Sequence, residues 1–122
     1  MCKRKRNILQ FTYDIEECID IIQEEISKVS FEEFVNDRKI IGYIERQLEK
    51  IGEAISQIQK LDKNILTDIL SDHSYWENIK GMRNRLIHEY WGTSLEMIYE
   101  VSVFEMEDLL KYIYLLREKL KY

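Results

Sequence analysis

Apolar residues recur at every third or fourth position along most of this chain, and none of its 122 residues is proline. The clearest stretch is a run of aliphatic side chains at Ile41, Ile44, Leu48, Ile51, Ile55 and Ile58. Such spacing places the side chains on one face of an α-helix, here about six turns long. No segment has the apolar and polar alternation of a half-buried strand. The sequence therefore predicts an all-α protein, one domain over residues 1–122, built as an up-and-down bundle of four to five helices.

Capping signals indicate where the first helices begin. Helix one is expected over about residues 7–29, and Ser30 with Glu33 forms a capping box that starts a short helix. Asn36 and Asp37 then precede the helix that contains the aliphatic run, and either can cap it. These signals predict short connections between the first three helices.

The second half of the chain has similar signals. A short helix is expected near residues 65–70, and a capping box at residues 74–77 starts a third main helix that ends before Gly92. Another capping box, at residues 93–96, starts the last main helix, with a bend predicted near residues 103–104. The pattern completes a bundle of four main helices.

Several single residues are assigned a structural role. Gly52, inside the second main helix, is expected where another backbone packs closely, because glycine otherwise destabilises a helix. His73 is interpreted as a surface or capping residue, since no further metal ligands have suitable spacing. Tyr99, Tyr112 and Tyr114 are expected on helix surfaces or at an interface.

The formal net charge of −5 means that the molecule as a whole does not attract nucleic acid. The charge is unevenly placed, with +4 over residues 1–13. Any basic surface has to be local, and Lys80, Arg83 and Arg85 are its expected centre, with Lys80 and Arg85 predicted to bind nucleic acid. Cys2 and Cys18 are too few for a disulfide framework or a metal cluster, which favours a reducing cytoplasm. We expect neither a signal peptide nor a membrane-spanning segment, because no apolar run is long enough.

Residues 81–90, G-M-R-N-R-L-I-H-E-Y, contain the residue types that an attack at a phosphodiester requires. Arg83 supplies a permanent charge and a planar fork of donors, and His88 can accept and donate protons near neutral pH. Asn84 can orient the phosphate or a histidine ring, and Tyr90 can add a hydrogen bond or stack on a base. Metal-free RNA cleavage needs a base, an acid and a positive charge at the phosphate.

One histidine cannot easily fill both proton-transfer roles in one turnover, but a two-fold dimer would bring two copies of Arg83 and His88 into one cleft. On an ideal helix these positions lie about 140° apart, so a shared groove requires the helix to loosen towards Gly92. A structural interpretation stays open: Arg83 can pair with Glu77 or Glu89, the motif tyrosine can be packed, and the histidine can be half-buried at a helix end.

Arg83, His88 and Tyr90 reproduce the R-x4-H-x-Y signature, and with the G-M-R-N lead-in the chain resembles the HepT-like ribonuclease toxins of the HEPN superfamily. Two further segments agree with that family within a match over about residues 8–118: F-x-x-D at residues 34–37 and I-G-E-A at residues 51–54. Prolines that are common before the family's third helix and in its last helix are missing here, which we interpret as packing variations.

The resemblance implies a HEPN-like homodimer in which Arg83 and His88 are catalytic and Asn84 is supporting, acting on RNA, with tRNA expected, and needing no metal or cofactor. It also implies a protein partner, an MntA-like minimal nucleotidyltransferase antitoxin that attaches AMP to Tyr90. Phosphate charge and an adenosine at the mouth of the cleft would repel and block RNA.

An older interpretation of the same family is the alternative: a non-catalytic helical subunit that binds and positions a nucleotidyltransferase. The acidity of the chain mildly favours this subunit, whereas the intact arginine, asparagine, histidine and tyrosine set favours the ribonuclease. RNA cleavage by the purified dimer distinguishes the two.

Overall fold

The computed structural model describes residues 1–88 and 94–121, apart from the side chains of residues 83–88. Within that part of the chain there are seven α-helices and no strands. In chain order they are α1 (Lys3–Ser27), α2 (Phe31–Val35), α3 (Arg38–Leu61), α4 (Ile65–Ile69), α5 (His73–His88), α6 (Leu95–Phe104) and α7 (Met106–Leu120). The all-α prediction is confirmed: α1, α3, α5 and the α6–α7 pair are the main helices, and α2 and α4 are the short ones.

Helix α3 follows its predicted pattern closely. Its most deeply buried apolar positions are Ile44, Leu48, Ile51, Ile55 and Ile58, each no more than 2% exposed. Ile41 is only partly buried, and its neighbour Ile40 takes the buried position instead. Asp37 caps the helix as predicted, with its Oδ1 accepting the backbone N–H of Lys39 and of Ile40 at 3.1 Å. Gly52 is buried in the same helix, and the close approach of another backbone there stays a prediction.

Two helices begin earlier than predicted. Helix α1 begins at Lys3, so the basic first residues are helical, which suits lysine and arginine because both are good helix formers. Helix α5 begins at His73, because Asp72 caps it in place of Ser74. The Asp72 Oδ1 atom accepts the backbone N–H of Ser74 at 3.1 Å, and a carboxylate also interacts favourably with the helix dipole. The capping box at the start of α2 is confirmed, with both of its hydrogen bonds present.

The last main helix is divided rather than bent. Helix α6 ends at Phe104 and α7 begins at Met106, one residue beyond the predicted bend. The cap of α6 is Ser94, whose hydroxyl accepts the backbone N–H of Met97 at 3.0 Å. Thr93, the predicted cap, lies outside the described residues. Both helices contribute buried side chains to the core, Ile98 from α6 and Met106, Leu109 and Ile113 from α7.

Trp76 is completely buried, and aromatic rings surround it. Its indole Nε1 donates to the carbonyl oxygen of Leu70 at 3.0 Å, so the one polar atom of the ring is satisfied. Tyr75 and Tyr112 pack their rings against it, with centroids 5.1 and 6.0 Å away. Tyr112 is therefore partly buried rather than a surface residue, and Tyr99 is partly buried as well.

Polar residues join α1 to α7. Arg117 donates to the Thr12 Oγ1 and carbonyl oxygens at 3.0 and 3.2 Å and to the Glu16 Oε1 at 2.7 Å, and its guanidinium lies 4.1 Å from the ring centroid of Tyr13. The Tyr114 hydroxyl donates to the Glu16 Oε2 at 2.7 Å. We call these five residues the α1–α7 seam. The hydrogen bonds from Tyr114 and then Arg117 lower the pKa of the Glu16 carboxyl.

Candidate functional site

Helix α5 carries the predicted motif, and its first half is anchored in the core. Trp76 is fully buried, Ile79 is partly buried, and Met82, immediately before the motif arginine, is only 8% exposed. Ile79 and Met82 border the same small cavity as Leu48 and Ile51, which lie in the middle of α3. The core therefore fixes the helix whose backbone contains Arg83 and His88.

The backbone is α-helical from Arg83 through His88. The loosening proposed from the sequence is thus not seen as far as His88, and the two Cα positions lie about 140° apart around the axis. The side chains of Arg83, Asn84, Arg85 and His88 lie outside the described residues, and so does the whole of Tyr90. Their catalytic, supporting, RNA-binding and regulatory roles remain predictions.

Lys80 lies one turn before the motif, and the structure describes the side chain of this predicted RNA-binding residue. Its Nζ atom lies 3.1 Å from the Glu77 Oε2 atom, and the Oε1 atom of Glu77 lies 3.3 Å from the His73 Nε2 atom. The side chain of His73 is 69% exposed, which confirms its predicted surface position. Exposed ion pairs contribute little to stability, so Lys80 can exchange Glu77 for a phosphate at small cost.

A groove of about 380 Å³ lies between α1 and α3, and we call it the acidic groove. Its polar lining consists of Asp14, Glu17, Gln47, Lys50 and Glu53. Gln47 is only 2% exposed, and its Oε1 atom has no hydrogen-bond partner among the described residues. Glu53, from the I-G-E-A segment, accepts a hydrogen bond from Gln57 Nε2 at 2.9 Å. Burial raises the pKa of the Cys18 thiol in the same groove, which disfavours the reactive thiolate. Acceptors dominate this surface, so it suits a cationic or hydrogen-bond-donating group.

A basic surface that the sequence analysis did not assemble lies where α1 begins and α3 and α7 end. Arg4, Lys5 and Lys119 line a groove of about 410 Å³ with Asp62 and an apolar floor. We define the basic end as residues 3–6, all Lys or Arg, together with Lys60, Lys63, Lys119 and Lys121. In an up-and-down bundle the helix directions alternate, which brings these positions to the same end. The predicted topology, combined with the positions of the basic residues, was therefore sufficient to predict this surface.

Among the described residues, no group of three or more His, Cys, Asp or Glu side chains is arranged to hold a metal ion. In the same part of the chain, every helix is too short or too polar to cross a bilayer.

Comparisons with known proteins agree with the motif. The family model described as Ribonuclease HepT-like matches residues 15–116. "Putative RNase MJ1216" of Methanocaldococcus jannaschii is 34% identical over 109 residues, covering 88% of this chain and 84% of that protein. "Putative RNase TTE0752" of Caldanaerobacter subterraneus is 36% identical over 101 residues, covering 81% and 83%.

A third relative, "Probable ribonuclease HepT" of Thermococcus cleftensis, is 34% identical over 98 residues, covering 79% of this chain and 83% of its own. No solved structure matches the chain. The family model covers most of the chain and includes all of α3 and α5. This chain therefore belongs to the HepT-like ribonuclease family.

Proposed function

We propose that this protein is a metal-independent endoribonuclease toxin that cleaves RNA, with tRNA as the expected substrate, at a site formed by Arg83 and His88. One observation carries the proposal: a family model for HepT-like ribonucleases matches residues 15–116, and the intact R-x4-H-x-Y set lies inside that match. The packing of α5 on α3 supports it, because a catalytic group needs a rigid element to hold it in place.

The chemistry divides among the motif residues. His88 takes the proton of a ribose 2′-hydroxyl, the 2′-oxygen attacks phosphorus, and the bond to the 5′-oxygen breaks as that oxygen is protonated. Arg83 stabilises the negative charge on the phosphorane oxygens, and Asn84 orients the phosphate. The products are a 2′,3′-cyclic phosphate and a 5′-hydroxyl, and the proposed step uses protein side chains without a metal ion or a cofactor.

The base and the acid are different groups in this proposal, and we assign them to the two His88 side chains of a homodimer. A wild-type chain mixed with excess His88→Ala chain would then form dimers with only one His88 side chain. Cleavage by those mixed dimers is expected to fall by at least tenfold, rather than by half, because both proton transfers are required. Activity that falls only in proportion to the wild-type chain would contradict the shared cleft.

The direct test is cleavage of total tRNA by the purified protein in excess EDTA. Wild type is expected to cut, and the products should end in a 2′,3′-cyclic phosphate. Arg83→Lys keeps the charge but loses the two-pronged contact to phosphate, so its rate should be reduced but still measurable. An inactive wild type, or activity that EDTA removes, would overturn the proposal.

Regulation is proposed at Tyr90, through AMP attached by a minimal nucleotidyltransferase antitoxin. The intact mass of protein made together with such an enzyme should increase by whole AMP units and return to the unmodified value for Tyr90→Phe, which lacks the acceptor hydroxyl. The modified protein should no longer cleave RNA, because phosphate charge then occupies the site. AMP found at another residue, or full activity after modification, would refute this role.

A non-catalytic subunit that binds a nucleotidyltransferase is the second candidate, and the acidic groove favours it. Asp14, Glu17 and Glu53 face that groove together with the unpartnered Gln47 oxygen, a surface that suits a basic protein segment better than RNA. This function predicts a tight complex and no cleavage in the EDTA assay.

A further inference from the structure

We propose that the basic end of the bundle is a second RNA-binding surface, which holds the sugar-phosphate backbone of the substrate at a distance from the motif in α5. The proposal rests on the proposed function, because it takes RNA as the ligand. It adds a binding site on other helices and a requirement on the substrate, which has to be long enough to reach both places.

The basic end is positively charged, whereas the chain as a whole is negatively charged. The basic end has eight cationic side chains, and the carboxylates among them are Asp62, Asp68 and Glu118. Its formal charge is therefore +5, although the chain as a whole carries −5. Phosphates are attracted to this end and repelled by the acidic groove. A basic surface on a chain with a net negative charge therefore favours one position for the RNA backbone.

The basic end is open to solvent and contains a groove. All the cations of the basic end except Lys5 are exposed. Lys119 and Lys121 form ion pairs with Asp68 at 3.7 Å and with Glu118 at 2.8 Å, but those pairs are solvated. Exposed pairs have little net stability, so phosphate oxygens can replace the carboxylates. The groove of about 410 Å³ between these helices admits part of a strand, and its apolar floor can contact a sugar or a base.

The basic end lies far from the motif in α5. Ile79 and Met82 border the same cavity as Leu48 and Ile51, and α3 continues from there for about another 15 Å of helical rise before it ends at Leu61. Helix α5 starts just after α4, which contacts the end of α7, and it then rises for about 22 Å to His88. The motif and the basic end are therefore at different levels of the bundle. A mononucleotide cannot contact both, whereas a folded RNA such as a tRNA can.

The test measures binding to a 2′-O-methyl RNA strand, which lacks the nucleophilic hydroxyl and cannot be cleaved. The variant is Lys3→Gln, Arg4→Gln and Arg6→Gln together; the matched control is Lys28→Gln, Lys39→Gln and Lys111→Gln. All six positions are exposed, and both triples change the net charge equally. For the variant we expect at least tenfold weaker binding at low salt, and a plot of log affinity against log salt whose slope is smaller by about 2. The control should bind as wild type does.

If both triple variants lost the same binding affinity, the effect would be due to net charge alone, and the proposal would be overturned. Unchanged binding by the Lys3, Arg4 and Arg6 variant would overturn it as well. Binding of wild type to phosphatidylserine vesicles in preference to the RNA strand would also overturn it. Different results would overturn the nuclease proposal and the proposal of a second RNA-binding surface. RNA bound through the basic end without cleavage of natural tRNA removes only the nuclease, whereas cleavage with no effect of the variant triple removes only this second surface.

Substrate length gives an independent readout. If the basic end holds distant RNA, the variant triple should raise KM for intact tRNA by about tenfold and leave KM for a trinucleotide unchanged, because the short substrate cannot reach that end. A merely structural role would affect both substrates equally, and that result would contradict the proposal.

Discussion

The buried face of α3 and the α1–α7 seam both hold long helices together, but by opposite chemistry. The face of α3 consists of aliphatic side chains with almost no exposure, and its stabilisation follows from the apolar area removed from water. In the seam, Arg117 on α7 is bound by Thr12 and Glu16, more than 100 positions earlier in the chain. An apolar face tolerates changes that keep its volume, whereas a polar seam depends on geometry and charge.

This difference separates structural polar residues from candidates for function. Arg117 is 15% exposed, and its donors are directed at Thr12 and Glu16, so its charge is used within the fold. The cations of the basic end other than Lys5 are exposed, and the pairs of Lys119 and Lys121 are solvated. A charged side chain in this family therefore has to be judged by its partners, and residue type alone does not decide its role.

The largest effect on stability is expected in α3. Ile55→Ala removes a completely buried side chain and should lower the free energy of unfolding by about 2 to 5 kcal/mol, because a cavity remains. Urea denaturation measures the change. Val103→Ala, at a position that is 41% exposed, is the control and should stay within about 0.5 kcal/mol of wild type. Similar losses for both would mean that the face of α3 does not dominate stability.

Arg117→Met tests the seam, since it keeps the aliphatic stem and removes the charge and the donors. We expect a loss of about 2 to 3 kcal/mol, because Glu16 and the Thr12 carbonyl lose their partner in a largely buried place. Lys121→Met, which removes an exposed pair with Glu118, should change stability by less than about 0.5 kcal/mol. An Arg117→Met protein as stable as wild type would show that the seam contributes specificity alone.

Glu16→Gln should cost about 1 kcal/mol at neutral pH, and the cost should depend on pH. The folded protein lowers the pKa of the Glu16 carboxyl, so its stabilisation is complete above the ordinary value of 4.5 and is lost as the pH falls through the lower folded value. Urea unfolding at several pH values should therefore give wild-type and variant curves that converge under acid conditions. A constant difference at all pH values would contradict an ionic seam.

Tyr114→Phe is the smallest change and isolates one donor. The Tyr114 hydroxyl is the largest cause of the lowered Glu16 pKa, ahead of Arg117. Its removal should raise the pKa of Glu16 towards the ordinary value, as measured by carboxyl carbon NMR during an acid titration. An unchanged titration would assign the whole shift to the arginine.

The sequence predicts the fold better than it predicts the polar contacts, for a physical reason. Helical periodicity is local, so the burial of Ile44 and Ile58 can be derived from spacing alone. Caps are almost local, and the errors at Asp72 and Ser94 are each one or two residues, because several neighbouring polar side chains compete to cap the same helix. The Arg117 contact depends on how α1 and α7 face each other, which periodicity does not determine.

The same reasoning applies to the candidate site. The order and spacing of Arg83, Asn84, His88 and Tyr90 are properties of the sequence, and together with the segments at residues 34–37 and 51–54 they indicate the family. The basic end could be derived only after the helix directions were combined, because its residues come from three separate segments. Whether two copies of the motif meet in one cleft depends on a second chain, which a single sequence does not specify.

The central claim is that Arg83 and His88 are present for chemistry and not for folding. One preparation each of wild type, Arg83→Ala and His88→Ala should be measured twice, by urea unfolding and by cleavage of tRNA in EDTA. We predict unfolding free energies within about 0.5 kcal/mol of wild type and cleavage rates at least 100-fold lower. Variants that still cleave, or that lose activity only because they unfold, would contradict the claim.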